Sequence, residues 1–222
     1  MRDDLLQRIQ LASRAAAQAR DADLLAVSKT RSAAEIRALA MLGQSAFGEN
    51  YVQEAIAKQH DLADLQLEWH LIGHLQSNKA REAAQAFDWV QSVDRIKLVA
   101  ALARHRAPER PPLNVLVQVN IDDEASKSGC RSDDAFLLAD AIASEPRLAL
   151  RGLMAIPAPD PDMQRRRAAF RALRDLFNAM QERHPRIDTL SMGMSEDFEL
   201  AIAEGATMVR IGTALFGARS KM

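Results

Sequence analysis

Lys29 ends the apolar run Leu24-Leu25-Ala26-Val27 and has a hydroxyl on either side, Ser28 and Thr30. A lysine delivered to the rim of a sheet can serve as a point charge for phosphate. If partial burial lowers its pKa, it can instead be the amine that attacks a carbonyl. Most lysines that end a strand simply extend into water, and Lys29 alone leaves all three roles open. Two later stretches bear on the choice. Ser191-Met192-Gly193-Met194-Ser195 and Val209-Arg210-Ile211-Gly212-Thr213 each put a glycine and hydroxyls where a helix is about to start. Backbone N–H groups at such a point bind anions. The alternative is plain helix capping by Ser195 and Thr213.

The elements that must position these residues alternate along the chain. Residues 2 to 20 carry Leu5, Leu6, Ile9, Ala12, Ala16 and Ala19 at three- and four-residue steps, which predicts an amphipathic helix. The strand ending at Lys29 follows, and Ser32 with Glu35 three residues on forms a capping box for a helix ended by Gly43. Further strands are predicted at 46–48, 66–73, 87–92, 113–121, 148–156, 188–192 and 206–211. Helices are predicted at about 52–60, 77–86, 94–103, 132–144, 163–183 and 195–204, with Asp94 capping the fifth helix. About eight βα units of about 25 residues, with no linker, predict a closed (β/α)8 TIM barrel preceded by an N-terminal helix. The whole of 1–222 reads as one domain, with 218–222 a short tail; a doubly wound open sheet is the structural alternative.

On the barrel, the residues able to do chemistry gather at the carboxyl ends of the strands: Lys29, Glu49-Asn50, His70, His74, Ser92, Asp94, Asn120, Ser191 to Ser195, and Arg210 with Gly212-Thr213. The strand beginnings, such as Asp23, Ala46 and Ala206, hold little but small or solvating residues. The loops after strands seven and eight are the usual phosphate seat of these barrels, and strand one lies beside strand eight. A ligand with a phosphate at one end and a carbonyl in reach of Lys29 fits that arrangement, and pyridoxal 5′-phosphate carries both on one ring. Arg210 beside the pyridine nitrogen cannot accept its proton. It would leave the ring a weaker electron sink than a carboxylate partner does.

Composition narrows the class. Forty-eight per cent hydrophobic residues suffice for a sizeable core. Lysine plus arginine number 29 against 30 acids, so no overall basic field draws the protein to nucleic acid or anionic membrane. No run nears the roughly 18 apolar residues of a membrane span, and Met1 to Leu6 has no secretory pattern. The single cysteine, Cys130, makes no internal disulfide and no zinc motif is present, which suits the cytoplasm.

The segments AVSKT (26–30), FGENYVQE (47–54), WHLIGHLQSNK (69–79), SVDR (92–95), LVQVN (116–120), SKSG (126–129), RGLMAIP (151–157) and LSMGMSEDFELAI with GATMVRIGTALFG from 190 onward resemble the YggS/PROSC family of pyridoxal-phosphate homeostasis proteins. The resemblance runs from about residue 23 to 217. It implies a fold-type III barrel similar to the N-terminal domain of bacterial alanine racemase, with pyridoxal phosphate held as a Schiff base on Lys29. It also implies that Ser191, Ser195, Gly212 and Thr213 hold the phosphate, that Arg210 faces the pyridine nitrogen, and that Asn50 lies near the phenolic oxygen.

Alanine racemase takes a second base, a tyrosine, from an appended domain of its partner subunit. Here Tyr51 is the only tyrosine and the chain ends about ten residues after the last strand, which favours a monomer that stores and delivers the cofactor. The expected role is therefore intracellular vitamin B6 homeostasis, with pyridoxal-phosphate-dependent apo-enzymes as acceptors and no residue assigned to catalysis. A racemase acting on amino acids is the alternative, and a cofactor-free aldolase or sugar-phosphate isomerase using Lys29 is a third. His70 and His74 lack metal spacing, Arg165 to Arg167 are expected on the solvated side of their helix, and Lys127 is a solvated loop residue or a second amine for transfer.

Overall fold

In a computed structural model, described over residues 1–122, 124, 128–158 and 160–217, eight parallel strands close into one barrel in chain order. They are β1 Asp23–Val27, β2 Ala46–Glu49, β3 Glu68–Leu71, β4 Trp89–Val93, β5 Leu113–Gln118, β6 Leu148–Met154, β7 Thr189–Ser191 and β8 Met208–Ile211. Closure is made by β1 against β8, with Leu25 opposite Arg210 and Ala26 opposite Ile211. Around them lie α1 Arg2–Ala15, α2 Ala33–Met41, α3 Val52–Asp61, α4 Ala80–Ala86, α5 Ile96–His105, α6 Ala135–Ala143, α7 Met163–Arg183, α8 Phe198–Ala203 and the four-residue α9 Thr213–Phe216.

The two-residue period of the strands sorts their side chains into two environments. Outward residues such as Leu24, Ala26, Phe47, Leu71, Val90, Val117, Leu190, Val209 and Ile211 join the helices in one large apolar cluster. The lumen is filled differently. Leu25, Ile72 and Met208 pack with Val27 and Ala46 on one side, and Trp89, Leu116 and Met154 form a second small cluster. Between them the lumen carries polar side chains described below. Gly152, at φ +142°, lets β6 approach β7 so closely that a Cβ there would sit 2.0 Å from the Thr189 carbonyl oxygen.

The predicted barrel and the element order hold, and the capping box at Ser32 and Glu35 forms with both of its hydrogen bonds. Several details differ. Asp94 caps nothing: α5 starts at Ile96, and the carboxylate pairs with Arg95 at 2.5 Å. Helix α4 is preceded by a 3₁₀ turn, Ser77–Lys79, and α8 starts three residues later than the spacing predicts, at Phe198. Arg165 is exposed as expected, but Arg167 is only half-exposed and, with Arg171 and Arg174, surrounds the buried Glu204 carboxylate. The strand beginnings are also more charged than expected. Arg2, Arg20, Asp23, Glu68, Arg151 and Asp188 line a cavity of about 590 Å³ at the amino-terminal mouth of the barrel.

Candidate functional site

Continuing the alternation of Leu25 and Val27 brings Lys29 to the carboxyl-terminal mouth of the lumen, where it is half-buried. The backbone there turns sharply. The Arg31 N–H donates to the Ser28 carbonyl at 2.9 Å, so Lys29 and Thr30 occupy the two corners of a β-turn. Thr30 has φ +63° while Lys29 is not in the positive-φ region, the sign pattern of a type II turn. A β-branched residue at that φ is a genuine outlier.

The turn is held from the layer between sheet and helix. Lys58 of α3, itself buried, donates to the Ser28 carbonyl at 2.8 Å, to Glu49 Oε1 at 2.7 Å and to Glu54 Oε1 at 2.7 Å. Ser28 Oγ donates to Glu49 Oε1 at 2.6 Å, and the Thr30 N–H donates to Glu54 Oε1 at 2.6 Å. Burial pushes the Glu49 carboxyl above its usual range even with Lys58 and Ser28 bonded to it. Arg31 donates to the Gly217 carbonyl and lies 5.4 Å from the centroid of the Phe216 ring, which ties this turn to α9.

Arg210 enters the lumen from β8 and is almost fully buried. Its Nη1 donates to Ser191 Oγ at 2.6 Å and its Nη2 to the Ala155 carbonyl at 2.7 Å. The chain of bonds continues across the barrel: Ser191 Oγ to Gln91 Oε1 at 2.7 Å, Gln91 Nε2 to His70 Nδ1 at 2.9 Å, and His70 Nε2 to Glu68 Oε1 at 2.7 Å. Its polarity is forced, because a guanidinium can only donate and a carboxylate can only accept. His70 must therefore be neutral, with its proton on Nε2. Desolvation, acting against the attraction of Glu68, likewise holds the imidazole below its ordinary pKa, and the ring stacks on Trp89 at 5.1 Å. Burial lowers Arg210 to about 10, which leaves it charged at neutral pH.

The loops after β7 and β8 meet beside Lys29. Ser195 does not cap α8, whose N-cap is Asp197, and the N-cap of α9 is Gly212 rather than Thr213. Instead Ser195 Oγ accepts from the Ala214 N–H at 3.4 Å, a long bond that joins the two loops. Gly212 lies against Val27, where a Cβ would sit 3.4 Å from the Val27 carbonyl oxygen, and Thr213 is exposed. Asn50 follows β2 and is fixed by its neighbour. A Cβ at Gly73 would lie 2.2 Å from the Asn50 carbonyl oxygen, so only glycine lets these two loops touch.

Of the predicted site residues, Lys29, Asn50, Ser195, Arg210, Gly212 and Thr213 all stand at this mouth, whereas Ser191 is turned inward as the support of Arg210. His74 faces Asp94 at 3.7 Å and Ser128 Oγ at 3.3 Å on the rim. Tyr51 is exposed. Cys130 is buried and its thiol is pushed up to about 12. Lys127 and Ser126 lie outside the described residues. Among the described residues no group of three His, Cys, Asp or Glu side chains is placed to hold a metal ion. Sequence reasoning missed Gln91, Glu54 and Lys58; only the i, i+4 spacing of the last two on one helix hinted at their pairing.

Comparison with known proteins shows the family. Residues 2–220 match the family of the alanine racemase N-terminal domain. A pyridoxal phosphate homeostasis protein of Pseudomonas aeruginosa is 54% identical over 211 residues, covering 93% of this chain and 90% of that one. Its counterpart of the same name in Escherichia coli K12 is 53% identical over 199 residues, 88% of this chain and 85% of that protein. PipY of Synechococcus elongatus PCC7942, solved with PLP bound, superposes with a TM-score of 0.81 at 40% identity, over 95% of this chain and 99% of that one. With matches of this length and closeness on a closed eight-stranded barrel, the chain belongs to the alanine racemase N-terminal domain family and, within it, to the pyridoxal phosphate homeostasis proteins.

Proposed function

We propose that this chain binds pyridoxal 5′-phosphate covalently through Lys29 and holds it for intracellular vitamin B6 homeostasis, buffering the cofactor and passing it to apo-enzymes. The residues present fit a phosphorylated aldehyde. The Lys29 amine sits at the mouth beside two loops that the long Ser195–Ala214 bond joins, a bond that an anionic oxygen can replace with a stronger one. When bound, the cofactor would supply an aldehyde, and the Lys29 amine would hold it covalently with loss of one water. Ser195, Thr213 and the backbone at Gly212 hold the phosphate. Asn50 orients the phenolic edge, and Arg210 meets the pyridine nitrogen as a donor.

The single observation that carries a storage role over turnover is the partner set of Arg210. Among the described residues its two hydrogen bonds go to neutral oxygens, Ser191 Oγ and the Ala155 carbonyl, and a guanidinium cannot accept a proton from the ring. A carrier that does not rapidly process amino acids needs no stronger electron sink. The relatives named as homeostasis proteins support the same reading. It further takes residues 1–222 as one domain acting as a cytoplasmic monomer; light scattering tests the last point. No helix among the described residues is long and apolar enough to cross a membrane.

The experiment is to load purified protein with pyridoxal phosphate, reduce with borohydride and map the modified peptide by mass spectrometry. A pyridoxyl group on Lys29, absent in Lys29→Ala, supports the reading, as does transfer of cofactor to an apo-enzyme. Modification elsewhere, or α-proton exchange of amino acids in deuterated water at catalytic rates, overturns it.

A further inference from the structure

The turn that presents Lys29 has two possible states, and the side chains around it select one. Types I and II differ by a flip of the central peptide, here the Lys29–Thr30 peptide, with the second corner at negative φ in type I and positive φ in type II. Threonine strongly prefers the negative region, and a non-glycine residue at φ > 0 costs on the order of a factor of ten in population. The observed state is the disfavoured one, at φ +63°. What holds it is specific to that peptide orientation. The Thr30 N–H, part of the flipped peptide, is captured by Glu54 Oε1 at 2.6 Å. Lys58 anchors the other side of the turn by donating to the Ser28 carbonyl at 2.8 Å, and it bonds to the same Glu54 oxygen at 2.7 Å. In the type I state the Thr30 N–H would turn away and Glu54 would lose that bond.

We propose that Glu54 and Lys58 are positioning residues that lock the Lys29–Thr30 peptide in the flipped state, and that this lock tunes covalent capture of the cofactor without touching the phosphate seat. The flip fixes ψ of Lys29, and allowed side-chain rotamers depend on backbone dihedrals, so the lock restricts where the amine can reach. Neither residue lies in the β7 or β8 loops, where Ser195 and Gly212 stand. The inference rests on Lys29 being the capturing amine.

Two probes separate the effects. Pyridoxal 5′-phosphate reports capture by Lys29. Pyridoxine 5′-phosphate keeps the ring and phosphate but has an alcohol in place of the aldehyde, so it reports the noncovalent seat alone. Glu54→Ala is expected to weaken binding of the aldehyde by about tenfold and binding of the alcohol by less than about twofold. Glu54→Gln keeps an acceptor oxygen and should recover most of the loss. Thr30→Gly in the Glu54→Ala background should also recover it, since glycine adopts this φ without steric cost. Lys58→Met, which removes the donor to Ser28, is the second variant and should show the same split between probes.

Equal weakening of both probes, no weakening of either, or failure of Thr30→Gly to rescue would overturn the lock. Borohydride fixation on the unmodified protein keeps the two readings apart: no adduct at Lys29 there removes the capturing amine itself, whatever the variants do.

Discussion

Ser191 Oγ lies 2.6 Å from Arg210 Nη1 and 2.7 Å from Gln91 Oε1, so a buried guanidinium is steadied by a hydroxyl whose own proton is spent on an amide. Among the described residues no carboxylate stands at ion-pair distance from Arg210; Asp197 attracts it from further off, and the relay of hydrogen bonds that starts at Arg210 ends on Glu68. Ser191→Ala would strand a charged donor and an amide oxygen in the lumen. The expected loss is about 1–3 kcal/mol of stability, measured by urea denaturation, together with a shifted visible spectrum of the loaded protein.

His70 makes stability depend on pH. Its folded pKa lies below the ordinary 6.5, because burial outweighs the attraction of Glu68, Asp88 and Asp23. As pH falls through 6.5 the unfolded chain takes up a proton that the folded chain refuses, so stability is lost on acidification and regained as pH rises. The slope approaches about 1.4 kcal/mol per pH unit for one group. In His70→Gln, Tm should fall less between about pH 7.5 and about pH 5.5 than in the native protein, even if it starts lower. An unchanged slope would show that the imidazole is not the titrating group.

Gly73→Ala tests the contact between the β2 and β3 loops. A methyl group 2.2 Å from the Asn50 carbonyl oxygen must push that loop aside. A stability loss of about 2–3 kcal/mol is expected by chemical denaturation. Cofactor binding should weaken beyond what that destabilisation explains, because Asn50 moves with the displaced backbone.

Cys130 should behave as a spectator. It is buried and its thiol is pushed up to about 12, mainly by desolvation, so almost no thiolate exists at neutral pH. Iodoacetamide at about pH 8 should leave it unlabelled in the folded protein and label it fully in urea, read by intact mass. Rapid labelling of the native state would refute the burial.

The barrel was legible because each unit announces itself in sequence. An apolar run of four to six residues gives way to a helical period, and the capping box at Ser32 and Glu35 marks one boundary to the residue. The positions of Lys29, Asn50, Ser195, Arg210, Gly212 and Thr213 at one mouth followed from that topology. The direction in which Ser191 turns did not, because it depends on Gln91, a residue 100 positions away whose polarity inside a lumen leaves no local pattern. Asp94 looked like a cap because it precedes a helical period; the adjacent Arg95 takes its carboxylate instead. The charge at the amino-terminal mouth was hidden for a similar reason. Glu68 opens β3, Asp188 precedes β7 and Arg151 lies within β6, so the three assemble only when the sheet closes.

Closure also fixes when the site can exist. Strand β8 pairs with β1, and Arg31 beside Lys29 bonds to Gly217, 186 residues further along the chain. Lys29 leaves the ribosome well before the loop it faces. An emerging chain therefore carries the amine before β8 and the loop after it exist, and on the proposed function loading would have to follow their synthesis. Because that last pairing is also the longest in sequence separation, it is the slowest kind of contact to form. A cofactor that grips both ends of the seam would act as a fastener on the barrel, protecting the β1–β8 edge from opening more than any other part of the sheet.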